Sequence, residues 1–220
     1  MGWCVLPVQQ HPSGDQVGGL LVPAGCGAFA VDSALGEDPV RAQTWAAASV
    51  AVAIRALVEL PDPIWLAVAL PAAGLLSARG FFQALSLHLD ADAGLARQQL
   101  GERLIAAVQC DHPNLQPNAE LLRSLGQWHV LAAIWHHVPV SVMRTPTAMQ
   151  LRRVFAGPAM VSGIDADLNL QHQWLFLAHG LAALSIPLVA TGVETISERS
   201  WLRRQGCEHT TSIAEPCSLD

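Results

Sequence analysis

Tyrosine is absent from this sequence of 220 residues, and charged side chains make up only 14% of it. Lys and Arg together number 12, no basic patch is recognisable, and the formal net charge is −6. This composition argues against a nucleic-acid surface, because phosphate backbones are bound by grouped basic side chains. The hydrophobic content of 51%, with seven Trp, is typical of a globular chain with a substantial core.

Cysteine is scarce as well: there are five, an odd number, and no two form a C-x-x-C pair. This spacing favours reduced thiols in the cytoplasm over a disulfide framework or a zinc site. The N-terminus lacks the positively charged start of a secretory signal. The longest apolar stretch, residues 45–60, contains Arg55 and Glu59 and is too short to span a bilayer. We therefore predict a cytoplasmic protein with no membrane span.

Apolar runs that alternate with helical segments predict an α/β fold in a single domain, residues 1–220. Two strands, 3–8 and 17–22, flank a turn so short that they must pair antiparallel. The other predicted strands are 64–70, 104–110, 128–135, 159–164, 186–190 and 207–213, and the predicted helices are 38–60, 77–89, 91–99, 118–125, 147–155, 171–184 and 195–206. Fully apolar strands separated by helices indicate a parallel sheet, and about eight of them favour a closed barrel. An open doubly wound sheet is the alternative, but no Gly-rich phosphate loop follows a first strand.

The segment 187–207 reads P-L-V-A-T-G-V-E-T-I-S-E-R-S-W-L-R-R-Q-G-C. It resembles the signature of the EAL domains, the cyclic di-GMP phosphodiesterase family, which carry A-E-G-V-E-T, a helix and then L-G-C-D-Y. Weaker matches to other family motifs follow in the family's order along 7–18, 66–71, 104–111, 126–137 and 158–165. The resemblance implies a TIM-like (β/α)8 barrel with an antiparallel first strand. The family residues that this chain retains are Pro7, Gly14, Gly18, Asp165, Gly192, Glu194, Gly206 and Cys207.

Most polar residues that the resemblance assigns to metal binding and catalysis are replaced. The name-giving Glu-Ala-Leu stands as Leu20-Leu21-Val22, and the paired aspartates stand as Ala132 and Ala133. The full set of replaced family positions is Leu20, Ala69, Ala107, Ala132, Ala133, Gly163, Thr191 and Thr211, with Cys110 as a second replaced Glu position beside Ala107. Mg²⁺ and Mn²⁺ need carboxylate oxygens, so we predict no bound metal, no cofactor, no catalytic residues and no phosphodiesterase activity.

The resemblance then implies an inactive relative that works by contact with another protein in cyclic di-GMP signalling. Residues 45–60 are a candidate partner surface, with a buried barrel helix or a homodimer contact as the alternatives. Binding of cyclic di-GMP is not expected, because Pro23-Ala24-Gly25 offers no cation where the family places an Arg. Two other functions stay open: a receptor that binds cyclic di-GMP without hydrolysis, and a residual phosphodiesterase with an unrecognised site.

Several further residues have either a functional or a structural interpretation. A replacement metal site would draw on His129, His136, His137, Cys110 and Thr191, although ordinary loop residues are the simpler interpretation. Trp135 lies at the exit of the fifth strand and is a candidate plug of the barrel mouth. The Trp residues expected to pack helices onto the barrel are Trp45, Trp174 and Trp201. The resemblance implies that Glu194 orders the loop that follows Gly192 and does not bind metal.

Overall fold

Residues 3–23, 38–61, 63–70, 103–109, 131–135, 151–211 and 217–219 are described by the computed structural model of the chain. They form the strands β1 (Trp3–Gln10), β2 (Gln16–Pro23), β3 (Trp65–Leu70), β4 (Leu104–Gln109), β5 (Leu131–Trp135), β6 (Arg153–Ala156), β7 (Leu188–Ala190), β8 (His209–Thr211) and β9 (Cys217–Leu219). The helices within these ranges are α1 (Pro39–Glu59), α2 (Pro158–Val161), α3 (Leu168–Ala183) and α4 (Ile196–Arg204).

The strands make one mixed sheet that returns to its start. From β2 to β8 each strand pairs with the next one along the chain, always in parallel. β1 is antiparallel to β2 and also to β8, so the pairings form a barrel-like ring. β9, which the sequence did not predict, adds antiparallel beside the first residues of β1. The predicted barrel-like sheet with an antiparallel first strand is confirmed, while the helices predicted at 77–89, 91–99 and 118–125 lie outside the described residues.

Alternate residues of the strands face two different hydrophobic clusters. Phe155 of β6 belongs to the interior cluster, with side chains of β1, β2, β3, β4 and β7. Its neighbours Val154 and Ala156 belong to the outer cluster, with Trp174 and Leu177 of α3 and Trp201 of α4. Because side chains alternate along a strand, the first cluster fills the barrel and the second seals its outer face. Trp174 and Trp201 thus pack on the outer face as predicted, and Trp174 is only 1% exposed. Trp45 of α1 belongs instead to the interior cluster.

Two secondary-structure predictions in the C-terminal third are wrong. The helix predicted at 147–155 gives way, in its described part, to strand β6, which pairs with β5 and β7. The strand predicted at 159–164 is instead helix α2 followed by turns. Pro158 occupies the first helical turn, where its fixed φ suits the helix and its missing N–H costs nothing. The resemblance of 158–165 to a family strand therefore fails.

Helix α1 confirms the helix predicted at 38–60. Asp38 caps it, accepting hydrogen bonds from the backbone N–H groups of Val40 at 2.9 Å and Arg41 at 3.4 Å. Its inner side is buried from Trp45 to Leu57, which accounts for much of its Ala and Val content as barrel packing. Val40 and Val58 are its large exposed apolar side chains. None of the described helices is long and apolar enough to cross a membrane.

Candidate functional site

The C-terminal ends of the parallel strands form one end of the barrel, called the barrel mouth below. Catalytic groups of such barrels normally lie at this end. At this end the described residues place apolar side chains. Leu20, Ala69 and Ala107 are each fully buried and belong to the interior cluster, as their predicted inward position requires. Trp45 of α1 donates a hydrogen bond from its indole N–H to the backbone oxygen of Ala69 at 3.2 Å. These three positions therefore offer no side-chain oxygen to a ligand.

Two buried threonines stand at predicted family positions near the same end. Thr191 follows β7, and both its backbone N–H and its hydroxyl donate to the backbone oxygen of Ala156, at 2.9 and 2.6 Å. Thr211 ends β8 with 1% of its surface exposed, and its hydroxyl has no hydrogen-bond partner in the described part of the chain. The first hydroxyl is committed to the backbone, whereas the second is a buried polar group that no described residue satisfies.

The loop after β7 is ordered by Glu198, a residue that the sequence interpretation missed. Its carboxylate is 3% exposed and accepts hydrogen bonds from the backbone N–H groups of Gly163 at 2.7 Å, Thr195 at 2.9 Å and Glu194 at 3.0 Å. The side chain of Glu194, predicted to order this loop, is exposed. Thr195 and Glu198 form a capping box at the start of α4. The T-I-S-E spacing in the sequence was the signal that could have identified it.

The pKa of Glu198 follows from its burial and from the N–H groups that donate to its carboxylate. Burial by itself raises the pKa of the carboxyl group, because the charged form loses its hydration. The N–H groups of Gly163, Thr195 and Glu194, with the Thr195 hydroxyl, outweigh burial and hold the pKa of Glu198 below its ordinary value. Glu198 is thus a stably ionised group that fixes a loop, and its oxygens are occupied by backbone donors.

Gly163 and Asp165 do not lie on a strand, contrary to prediction. Both are exposed and belong to the turns after α2, where Gly163 has a φ of 77°. The strand between β5 and β7 is β6, and its fully buried inward side chain is Phe155. The comparison of Gly163 with the family's lysine is therefore withdrawn. The chain contains no Lys at all.

The predicted positions of the paired aspartates, Ala132 and Ala133, lie within β5, which continues to Trp135. Ala132 is in register with Ala107 of β4. Their side chains lie outside the described residues, as do Cys110, His129, His136, His137 and the side chain of Trp135. Among the residues that are described, no group of three His, Cys, Asp or Glu side chains could hold a metal ion. The buried set of Leu20, Ala69, Ala107 and Thr191 does not fit a divalent cation, which prefers several carboxylate or carbonyl oxygens.

The retained family residues have structural positions. Pro7 lies in β1 opposite Gly19, and Gly14 occupies the turn before β2 with a φ of 80°. Gly206, with a φ of 78°, and Cys207 follow the C-terminal cap of α4. Burial raises the pKa of the Cys207 thiol to about 11. Gly18 is in register with Trp65, whose indole occupies the space where a Cβ would project.

The sequence matches no model of a known family and no curated protein. Solved structures, however, are similar over nearly the whole chain. A standalone EAL protein from Vibrio cholerae O395, with c-di-GMP bound, has a TM-score of 0.67 at 17% identity, covering 98% of this chain and 91% of that one. The EAL domain of Mycobacterium smegmatis DcpA has a TM-score of 0.68 at 15% identity, covering 98% and 91%. The PaMucR phosphodiesterase in complex with c-di-GMP has a TM-score of 0.71 at 16% identity, covering 98% and 96%. Together with the closed strand pairing and the antiparallel β1, these likenesses establish that the chain has the fold of the EAL domains.

Proposed function

We propose that residues 1–220 form one catalytically inactive EAL-like domain, which regulates cyclic di-GMP signalling by contact with another protein. The observation that carries the proposal is the chemistry of the barrel mouth. Leu20, Ala69 and Ala107 are buried and lack side-chain oxygens, and the hydroxyl of Thr191 is bonded to the backbone. Hydrolysis of a phosphodiester by divalent metals requires carboxylates that hold the ions and activate water, and these positions supply none.

The absence of lysine supports the same proposal. An active site for phosphate chemistry commonly places a fixed cation against the charge that develops in the transition state. No lysine is available anywhere in this chain, and the fully buried inward side chain of β6 is Phe155. The hydrogen bond from the Gly163 N–H to the Glu198 carboxylate and the packed outer cluster maintain the fold. Neither supplies a metal-binding carboxylate or a cation.

Hydrolysis is tested with purified protein and cyclic di-GMP in the presence of Mg²⁺ or Mn²⁺, with product separated by chromatography. The PaMucR phosphodiesterase, assayed in parallel, is the positive control for the substrate and the metals. We expect no product above the protein-free blank. Product that grows in proportion to protein concentration, and persists through a further purification step, would overturn the proposal and favour the residual phosphodiesterase.

A receptor that binds cyclic di-GMP without hydrolysing it is the second candidate. It is favoured by one observation: structures with the same fold, from Vibrio cholerae and PaMucR, hold c-di-GMP. Isothermal titration with cyclic di-GMP, with and without Mg²⁺, separates the two candidates. We expect only heat of dilution, because the described mouth offers no cation to a dianionic ligand. Saturable binding at micromolar concentration would establish the receptor instead.

The surface that meets the partner is best sought among the exposed apolar side chains. Phe176 on α3 is 51% exposed although it is aromatic, and aromatic side chains are enriched among residues that dominate binding energy. Capture from the native cell with wild-type protein is compared with capture by Phe176→Ser. Val58→Ser on α1, where Val58 is 65% exposed, is the matched control. Loss of the captured protein with Phe176→Ser alone would locate the interface on α3, and equal capture by all three proteins would reject that location.

A further inference from the structure

The end of the barrel opposite the mouth contains a stacked arginine. Arg153 begins β6 and shares the inward side of that strand with Phe155. Its guanidinium carbon lies 4.2 Å from the centroid of the Trp65 ring, and Trp65 begins β3. Gly18 on β2 leaves room for the indole, because a Cβ there would overlap it. Residues of β2, β3 and β6 thus together hold one guanidinium group inside this end of the barrel.

This guanidinium has no counter-charge in the described part of the chain. Arg153 is partly buried, yet it makes no ion pair and no hydrogen bond with a described residue. A ring face satisfies none of its five N–H donors in the way an oxygen would. Burial, and then the charge of Arg152, lower the pKa of Arg153 to about 10. A partly desolvated cation that no described acceptor satisfies is costly, and a bound anion would offset that cost.

His209 lies on the same inward side of the barrel as Arg153, because it is in register with Val189, which is in register with Phe155. It begins β8, and its pKa is lowered by burial, by the charge of Arg153 and by His11, against a smaller opposite effect of Glu208. His11 itself contacts the Thr210 hydroxyl at 3.0 Å, and its pKa is lowered by burial and by Arg199 and Arg203. Glu208 acts on His209 in the opposite direction to Arg153, and its effect is the smaller of the two.

We propose that the N-terminal end of the barrel binds a small oxyanion, a carboxylate or a phosphate group, through the guanidinium of Arg153 with the His209 ring beside it. The planar fork of Arg153 suits two oxygens at once, and its contact with Trp65 fixes it before the ion arrives. The partly exposed side chain is accessible to an ion from solvent. This site is separate from the mouth and does not depend on the function proposed above.

The test is an NMR titration of the His209 ring, identified with a His209→Gln variant, at constant ionic strength. Sodium phosphate and sodium acetate are the two probes, and sodium chloride is the reference. We expect saturable shifts with an oxyanion and none with chloride, together with a rise in the pKa of His209, because a nearby anion favours the imidazolium. Saturation by both probes indicates a general oxyanion site, and saturation by one alone identifies which group it takes.

Arg153→Met keeps the length and apolar stem of the side chain but removes its donors. We expect the apparent affinity to fall about tenfold or more, and Arg153→Lys, which keeps the charge but loses the fork, to lie between. Arg204→Met, an exposed position on α4, is the control for net charge and is expected to bind as wild type. Linear, non-saturating shifts of the wild-type protein with both oxyanions, or equal affinity in folded Arg153→Met, would overturn the proposal.

Discussion

The backbone N–H of Gly163 donates a hydrogen bond of 2.7 Å to the carboxylate of Glu198, which lies 35 residues later in the chain. The bond joins the turn after α2 to the start of α4. The same carboxylate also receives the N–H groups of Glu194 and Thr195, so one side chain fixes two segments beside the barrel mouth. Hydrogen bonds to a charged acceptor are among the stronger ones, which makes Glu198 the natural place to probe this region.

Glu198→Gln is expected to lower the free energy of unfolding by about 1–3 kcal/mol. The amide keeps one oxygen but turns an NH₂ group toward backbone N–H donors, which leaves at least one of them unsatisfied. Urea denaturation near neutral pH measures the change. Glu194→Gln, at an exposed position four residues earlier, is the control and is expected to leave stability unchanged. Equal losses of unfolding free energy in both variants would show that the hydrogen bonds of the Glu198 carboxylate have no special role.

The same carboxylate predicts a pH dependence of stability. The pKa of Glu198 is lower in the folded protein than its ordinary value, so the folded state favours the ionised form. Its contribution is fully present above the pKa of the unfolded chain, about 4.3, and is lost as the pH falls through the lower folded pKa. Denaturation midpoints of wild type and Glu198→Gln should therefore converge as the pH is lowered through this range. Midpoints that stay parallel down to the acid limit would contradict the shift.

Two buried threonines make a matched pair with opposite expectations. Thr191→Val loses the hydroxyl bond to the Ala156 oxygen and is expected to cost about 1 kcal/mol. Thr211→Val removes a buried hydroxyl that has no described partner, and is expected to be neutral or to stabilise by up to about 1 kcal/mol. Chemical denaturation of both variants gives the comparison directly. A destabilising Thr211→Val would mean that this hydroxyl has a partner in solution.

Restoring the first family carboxylate should damage the barrel without restoring activity. Leu20 is completely buried in the interior cluster, so Leu20→Glu places a carboxyl group among apolar side chains. We expect a loss of about 3 kcal/mol or more, and a raised pKa for the new carboxyl group. Val40→Glu, at a position 68% exposed, should stay within about 0.5 kcal/mol of wild type. Phosphodiesterase activity in Leu20→Glu would show that the site is closer to function than proposed.

Gly18→Ala is expected to destabilise the protein by about 1–3 kcal/mol, because the new methyl group overlaps the Trp65 indole. The double variant with Trp65→Leu provides the control, since the smaller side chain vacates the space. We expect the double variant to lose less stability than the sum of the losses in the two single variants. Simple additivity of the two losses would indicate that the glycine matters for its backbone and not for the contact with Trp65.

The sequence predicted helices and strands correctly where an apolar run was long or where a helix began with a capping residue. The helix at 38–60 carried Asp38-Pro39 at its start, and β3 is a fully buried apolar run. The failures concern β6 and α2, which are four residues long each. Short apolar runs such as Val154–Ala156 and Met160–Val161 have no periodicity that separates strand from helix. Pairing of β6 with β5 and β7 decides the matter, and such long-range contacts are invisible in the local sequence.

Leu20, Ala69, Ala107 and Thr191, to which the family motifs pointed, are all buried. Their assignment to the family's metal-binding and catalytic positions stays a prediction. Gly163 was misplaced because the motif was compared without knowing which apolar run forms the strand. Glu198 was missed because its importance arises from Gly163, and a local capping pattern does not reveal a partner 35 residues away.

The seam between β1 and β8 has a consequence for how the barrel is assembled. Beside this seam, the His11 ring contacts the Thr210 hydroxyl, and the two residues are 199 positions apart in the chain. β1 also pairs with β9, which follows β8 in the chain. During synthesis, β1 and β2 can pair early, but the ring has no second neighbour for β1 until the final strands emerge. Closing so long a loop carries a large entropic cost and slows folding. Until then the nascent chain exposes an open sheet edge at β1. Before β8 pairs with β1, a chaperone or another chain can therefore bind to that edge.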